Sequence, residues 1–304
     1  MTEMKKIQGI IPPMVTPLLD GKTLDEQGSK RIINRMIDAG VAGIFVLGTT
    51  GESQSLSMRL RFDFVSLAAR YIAGRVPLLV GITETSLEDS LALAAHAKKE
   101  GAVAVVAAAP YYFPANQQEL IDWYTALADA SPLPVFLYNM PSKVKVFLQV
   151  PTVVALYKHP NIIGVKDSSG NQSYFQSLLY HFAGTDFAVY MGPEEQMIAA
   201  VLCGGDGGVS GGANLFPELF VKAYQAAASG NIEEARRLQK RIMHLSDSLY
   251  GLEPGSDASF VKAIKCSLEI KGIASGYLPL PYTAFKGEQV EKVKRILDTL
   301  KDYR

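Results

Sequence analysis

Eight short apolar, β-branched runs, separated by amphipathic stretches, limit what this chain can fold into more than any other feature. The runs are Gly9–Ile11, Gly43–Leu47, Leu78–Ile82, Ala102–Ala107, Val135–Tyr138, Ile162–Lys166, Phe187–Met191 and Gly208–Ser210. They recur roughly every 25–30 residues, the spacing of strands alternating with helices. Strands apolar on both faces belong in a parallel sheet covered by helices. The intervening segments have helical signatures. Asp25–Ala39 sets Ile32, Ile33, Met36 and Ile37 on one face. Ser86–Glu100 begins on a capping serine and stops at Gly101, and Ser57–Ala73 stops at Gly74. Gln117–Ala130 and Gln172–Phe182 repeat the pattern.

Eight such units predict an α/β fold, a TIM (β/α)8 barrel. A doubly wound sheet would carry a glycine-rich fingerprint after its first strand. Here that place holds Pro12-Pro13-Met14-Val15-Thr16-Pro17. The barrel is expected to occupy 1–230, with a C-terminal helical annex over 231–304 made of Ile232–Tyr250, Ala258–Ile270 and Gln289–Leu300.

Composition narrows the partners. Lys plus Arg and Asp plus Glu are 30 each, so the formal net charge is zero, against the basic excess that nucleic-acid binding favours. With 48% apolar and 20% charged residues the chain is not of disordered composition. The 2 cysteines and 4 histidines lack ligand spacing, so neither a disulfide framework nor a metal site is expected. Pro12 and Pro13 interrupt the first apolar stretch, which argues against a signal peptide. No apolar run reaches the ~18–20 residues of a membrane span. A cytoplasmic enzyme is the expectation.

In such barrels the chemistry sits at the carboxyl ends of the strands. The sixth strand ends Ile162-Ile163-Gly164-Val165-Lys166-Asp167. An ammonium at the end of an apolar strand is costly to desolvate, which favours the neutral, nucleophilic amine. The alternative is a lysine paired with Asp167 or reaching to the rim. The fifth strand ends on Tyr138, one strand away, where a phenol can shuttle protons or simply pack. After the second strand, Gly48-Thr49-Thr50-Gly51-Glu52 offers hydroxyls and backbone N–H groups to a carboxylate, or forms a plain glycine turn. Gly211 and Gly212 follow the eighth strand and leave room for a ligand. Glu194-Glu195 either grips hydroxyls or supplies acidic charge to a helix start.

These segments, with Pro110-Tyr111-Tyr112, Tyr138-Asn139-Met140-Pro141 and Gly204-Gly205-Asp206-Gly207, resemble the dihydrodipicolinate synthase / N-acetylneuraminate lyase superfamily over nearly the whole chain. The resemblance implies a Schiff-base, pyruvate-handling aldolase with no cofactor beyond a covalent imine. Lys166 would form that imine, and Tyr138 would move protons. Thr50 and Gly48 would hold the pyruvate carboxylate, and Thr49 would link Tyr138 to Tyr112. Tyr112 would reach a neighbouring subunit's site in a homotetramer built from dimers. Val209 would lie near the imine, and Lys143, Glu194 and Gly211 would meet the second reactant.

Family synthases that condense aspartate semialdehyde carry an arginine where this chain has Lys143, and lysine lacks the bidentate fork. Sialic-acid lyases carry Ser-Thr where this chain has Thr49-Thr50. A 2-keto-3-deoxy sugar acid is therefore the expected substrate, with 4-hydroxy-tetrahydrodipicolinate synthase and a sugar-acid dehydratase as alternatives. A metal-dependent aldolase and a non-catalytic ligand-binding barrel are the readings outside the family.

Overall fold

The computed structural model describes residues 6–303. Its strands are β1 (Gly9–Ile10), β2 (Ile44–Val46), β3 (Leu78–Gly81), β4 (Ala104–Ala108), β5 (Val135–Asn139), β6 (Ile162–Asp167), β7 (Ala188–Met191) and β8 (Gly207–Gly208). They form one 8-stranded sheet in the order β1-β8-β7-β6-β5-β4-β3-β2, and every pairing is parallel. The remaining seam closes through a Pro13–Phe45 bridge. Backbone bonds from Ala42 N–H to Ile10 (2.8 Å), Phe45 N–H to Pro12 (3.0 Å) and Met14 N–H to Phe45 (2.8 Å) hold it. The fold is the expected (β/α)8 barrel. Each of the eight runs contains or overlaps one strand.

The eighth strand starts one residue earlier than its run, because Gly207 passes very close to β1. A Cβ there would sit 1.9 Å from the Gly9 carbonyl oxygen. Beyond it, Asn214 laces the ring together. Its amide oxygen accepts the Val15 N–H (3.0 Å), and its nitrogen donates to the Pro13 and Gly211 carbonyls (3.0 and 2.8 Å).

The helices obey local rules. Asp25 caps Glu26–Asp38 by accepting the Gly28 N–H (2.8 Å), and Ile32, Ile33 and Met36 are buried, with Ile37 half-buried. Ser57 and Ser86 accept N–H bonds from Leu60 and Asp89 (3.3 Å each). Asn116 and Glu119 form a reciprocal capping box at Gln117–Ala130. Four helices lie outside the predicted segments: Pro141–Val144, Val150–Leu156, Met197–Leu202 and Pro217–Ala228. Three have proline at their first or second position, where a missing N–H costs nothing.

After Ala228 come Ile232–Leu249, Ser259–Ile270 and Glu288–Thr299. The first packs on Pro217–Ala228 and buries Leu238, Ile242, Leu245 and Leu249 at helical spacing. Truncating one of these, such as Leu245→Ala, costs about 2–5 kcal/mol. In Ser259–Ile270 even Lys262 and Lys265 are buried, because this helix lies against the barrel mouth.

Candidate active site

Register places the two central side chains. Tyr138 of β5 is the direct neighbour of Lys166 of β6, so both point to the same side, the barrel interior. The Lys166 Nζ lies 4.1 Å from the Tyr138 ring centroid and 5.3 Å from that of Phe45. Both residues are buried, at 6% and 5% exposure. Gly164, two residues before Lys166, makes room for the layer beneath: a Cβ there would meet the Phe136 ring at 2.4 Å.

Asp167 points the other way along the strand. Its carboxylate accepts from Asn139 Nδ2 (2.8 Å), Ser169 N–H (3.1 Å) and the Ser169 hydroxyl (3.0 Å). Among the described residues no carboxylate pairs with Lys166. The alternative of a lysine neutralised by Asp167 is thereby set aside.

The Tyr138 hydroxyl lies 3.2 Å from that of Thr49. Burial pushes the phenol up. The Lys166 ammonium and the hydrogen bonds with Thr49 and Ser168 outweigh it and hold the phenol below its ordinary value. The group is thus readier to release its proton than a free tyrosine.

The loop after β2 is shaped by close approach. Leu47 and Glu52 adopt left-handed φ values of 58° and 56° on either side of Gly48–Gly51, a strained geometry for residues with side chains. A Cβ on Gly48 would strike the Phe45 ring at 2.6 Å, and one on Gly81 of β3 would strike the Leu47 carbonyl oxygen at 2.2 Å. The N–H groups of Gly51 and Glu52 turn inward to Gly48 and Thr49 (3.0 Å each). Among the described hydrogen bonds none occupies the N–H of Thr49 or Thr50, or the Thr50 hydroxyl. These donors are unspent at the mouth of the barrel.

A cavity of about 300 Å³ opens over these residues, lined by Gly48, Thr49, Tyr111, Tyr138 and Lys143 among others. A smaller one, about 10 Å³, shares Phe45 with it and is lined by Lys166 and Val209. It lies deeper, since Leu79, Val106 and Phe136 in its walls precede the Gly81, Ala108 and Tyr138 of the larger cavity along their strands. Lys166 therefore forms the floor and Lys143 the rim.

Glu194, Gly211 and Tyr112 are not brought to this cavity, and Thr50, beside Thr49, does not line it. Glu194 is 4% exposed, and its carboxylate accepts the Gly212 N–H (2.7 Å) and the Tyr250 hydroxyl (2.5 Å). Burial pushes its pKa up to about 7. Gly211 backs onto Phe260, whose ring a Cβ would meet at 2.3 Å. Tyr112 is 79% exposed, has a φ of 92°, and stands edge-on to Phe113. Within one chain it is Tyr111 that lines the cavity.

The sequence reading missed Asp257, Ala258 and Val261, which the annex contributes to the same wall. It also missed Lys265, fully buried and paired with Glu52 of the β2 loop. Burial pushes the Glu52 carboxyl up and the Lys265 ammonium down, and their mutual attraction opposes both. A buried lysine in an amphipathic helix was the available signal, since such a group needs a partner.

A (β/α)8 barrel with a lysine and a tyrosine side by side at the carboxyl ends of its strands is the architecture of an enzyme. The model of the dihydrodipicolinate synthetase family matches residues 6–300. The "Probable 2-dehydro-3-deoxy-D-pentonate aldolase YjhH" of Escherichia coli (strain K12) is 32% identical over 299 residues, covering 97% of this chain and 98% of that one. The solved dihydrodipicolinate synthase of Bacteroides thetaiotaomicron superposes with a TM-score of 0.95 at 46% identity, over 98% of this chain and 100% of that chain. YagE of E. coli K12, determined in complex with pyruvate, gives 0.90 at 30% identity over 97% and 98%. The chain belongs to the dihydrodipicolinate synthetase family.

Proposed function

We propose that this enzyme cleaves, or in reverse forms, the bond between pyruvate and an aldehyde in a 2-keto-3-deoxy sugar acid. The observation that carries this is the Lys166 ammonium, unpaired by any described carboxylate, with its Nζ 4.1 Å from the Tyr138 ring centroid. The neutral Lys166 amine adds to the keto carbon, Tyr138 gives its proton to the departing hydroxyl, and water leaves, giving a protonated imine and a Tyr138 phenolate. Tyr138 takes the proton from the C4 hydroxyl, the C3–C4 bonding pair flows into the imine, and the aldehyde departs. The enamine then takes the Tyr138 proton at C3, and water releases pyruvate, restoring the amine and returning a proton to Tyr138.

Thr50, Gly48 and the adjoining N–H groups are assigned to the substrate carboxylate, Thr49 to holding Tyr138, and Val209 to the wall beside the imine. The likeness to a pentonate aldolase supports the sugar-acid reading. The 46% identity with a dihydrodipicolinate synthase favours a second reading, condensation with aspartate semialdehyde. The exposed Tyr112–Phe113 pair fits assembly through that face into a homotetramer, in which Tyr112 serves a partner's site. We assign residues 1–230 to the catalytic barrel, 231–304 to the annex, and the enzyme to the cytoplasm.

Borohydride reduction in the presence of pyruvate tests the imine. Wild type gains the mass of a reduced pyruvate adduct on Lys166, and Lys166→Ala gains none. An unlabelled wild type or a labelled variant refutes the assignment. An aldehyde panel, with products identified by mass, separates aldolase, synthase and dehydratase.

A further inference from the structure

Each charged residue lining the large cavity has an ion-pair partner. Glu52 in its wall is held by Lys265, and Lys143 at its rim is held by Asp257, 2.6 Å away. Lys143 is the cavity's one cationic lining residue, and both members of the rim pair face it. They come from distant parts of the chain: Lys143 from Pro141–Val144, directly after β5, and Asp257 from the turn before Ser259–Ile270. The other polar groups near the rim are uncharged: Gln54, Ser55, Thr83, Tyr111 and Tyr282.

We propose that Asp257 is a specificity-determining residue, restricting the second reactant to uncharged polyhydroxy aldehydes by keeping Lys143 neutralised. This rests on the reading that Lys166 carries pyruvate as an imine. A carboxylate on the incoming aldehyde must displace Asp257 to reach Lys143, and it then lies beside that displaced acid. A hydroxyl loses nothing, because it donates to Asp257 and accepts from Lys143 while the pair stays closed. Discrimination here comes from a like charge placed against the wrong reactant.

Lys143 also holds the Asp257 carboxyl below the ordinary range, so the acid is charged at neutral pH. Asp257 approaches from the solvent side, its side chain 82% exposed against 33% for Lys143. Its removal therefore uncovers the ammonium without opening the core.

The test compares kcat/KM for pyruvate with glyceraldehyde and with succinic semialdehyde, a neutral and an anionic aldehyde. Wild type prefers the neutral one. Asp257→Asn raises the anionic-to-neutral ratio by about tenfold, the scale of one freed charge contact. The double variant Asp257→Asn/Lys143→Ala loses that gain. A ratio unchanged in Asp257→Asn, a gain that survives in the double variant, or an equal loss with both aldehydes overturns the proposal. Borohydride trapping of pyruvate is run on the same proteins and reports on Lys166 alone. If wild type fails to trap, the imine reading itself falls.

Discussion

The hydroxyls of Thr49 and Tyr138 lie 3.2 Å apart, joining the loop after β2 to the end of β5 across the barrel mouth. This bond fixes where the phenol points, and with Lys166 and Ser168 it outweighs the effect of burial on the phenol. A proton shuttle needs a set orientation as well as a suitable pKa.

Tyr138→Phe is accordingly expected to lower kcat by about 10²–10⁴, the usual worth of a positioned acid–base group. Thr49→Val, which leaves the phenol in place but unheld, gives a smaller loss, mainly in kcat, and Thr49→Ser restores most of it. Steady-state kinetics on the three variants decide this. Equal losses in Thr49→Val and Thr49→Ser would show that the hydroxyl is not what matters.

The Glu52–Lys265 pair makes a prediction about stability. Lys265→Met strands a buried carboxylate and should cost about 3–5 kcal/mol, whereas Glu52→Leu/Lys265→Met costs less than the single change. Urea unfolding of the two singles and the double measures the coupling. Additive losses would mean the pair does not interact.

Glu194 gives the stability a pH dependence. Its folded pKa of about 7 lies above the 4.5 of an ordinary glutamate, so the folded state binds the proton more tightly. Its stabilising contribution is complete below pH 4.5 and is lost as pH rises to 7. The full swing is about 3 kcal/mol. Glu194→Gln should flatten the wild-type fall in unfolding free energy between acid and neutral pH. Parallel curves for the two proteins would contradict the buried, protonated carboxyl.

Gly48 and Gly81 should separate activity from folding. Gly48→Ala pushes on a movable ring, Phe45, that faces Lys166, so trapping of pyruvate suffers more than melting temperature. Gly81→Ala drives a methyl into the Leu47 carbonyl, 2.2 Å away, and both decline. Circular dichroism melts alongside adduct mass spectra check the contrast.

Among the described residues no group of three His, Cys, Asp or Glu is placed to hold a metal ion. An imine on Lys166 supplies the electron sink that a metal ion would otherwise provide, so turnover is expected to survive excess EDTA. Loss of activity restored by a divalent cation would favour a metal-dependent aldolase instead.

The barrel was legible because its strands are apolar up to their carboxyl ends and the predicted helices mostly begin on a capping side chain or stop at a glycine. Lys166 and Tyr138 were legible because polar groups at the ends of such strands stand out. The annex wall was not. Asp257 sits in a Glu253–Ser259 turn of ordinary loop composition, and only tertiary packing carries it to Lys143. Glu194 misled for a related reason. An acidic pair after a strand reads as mouth-facing, yet the Gly212 N–H and the Tyr250 hydroxyl draw its carboxylate into the interior.

The β1–β2 seam has a consequence for the loop after β2. The strand that leads into Thr49 and Thr50 is joined to β3 by a full ladder but to the β1 side by three backbone bonds and an isolated bridge. Amide protons at Ala42, Phe45 and Met14 should exchange sooner than those of β5 and β6. A change far from the mouth that loosens this joint would shift the two threonines relative to Lys166, dulling the enzyme while every reacting group is still in place.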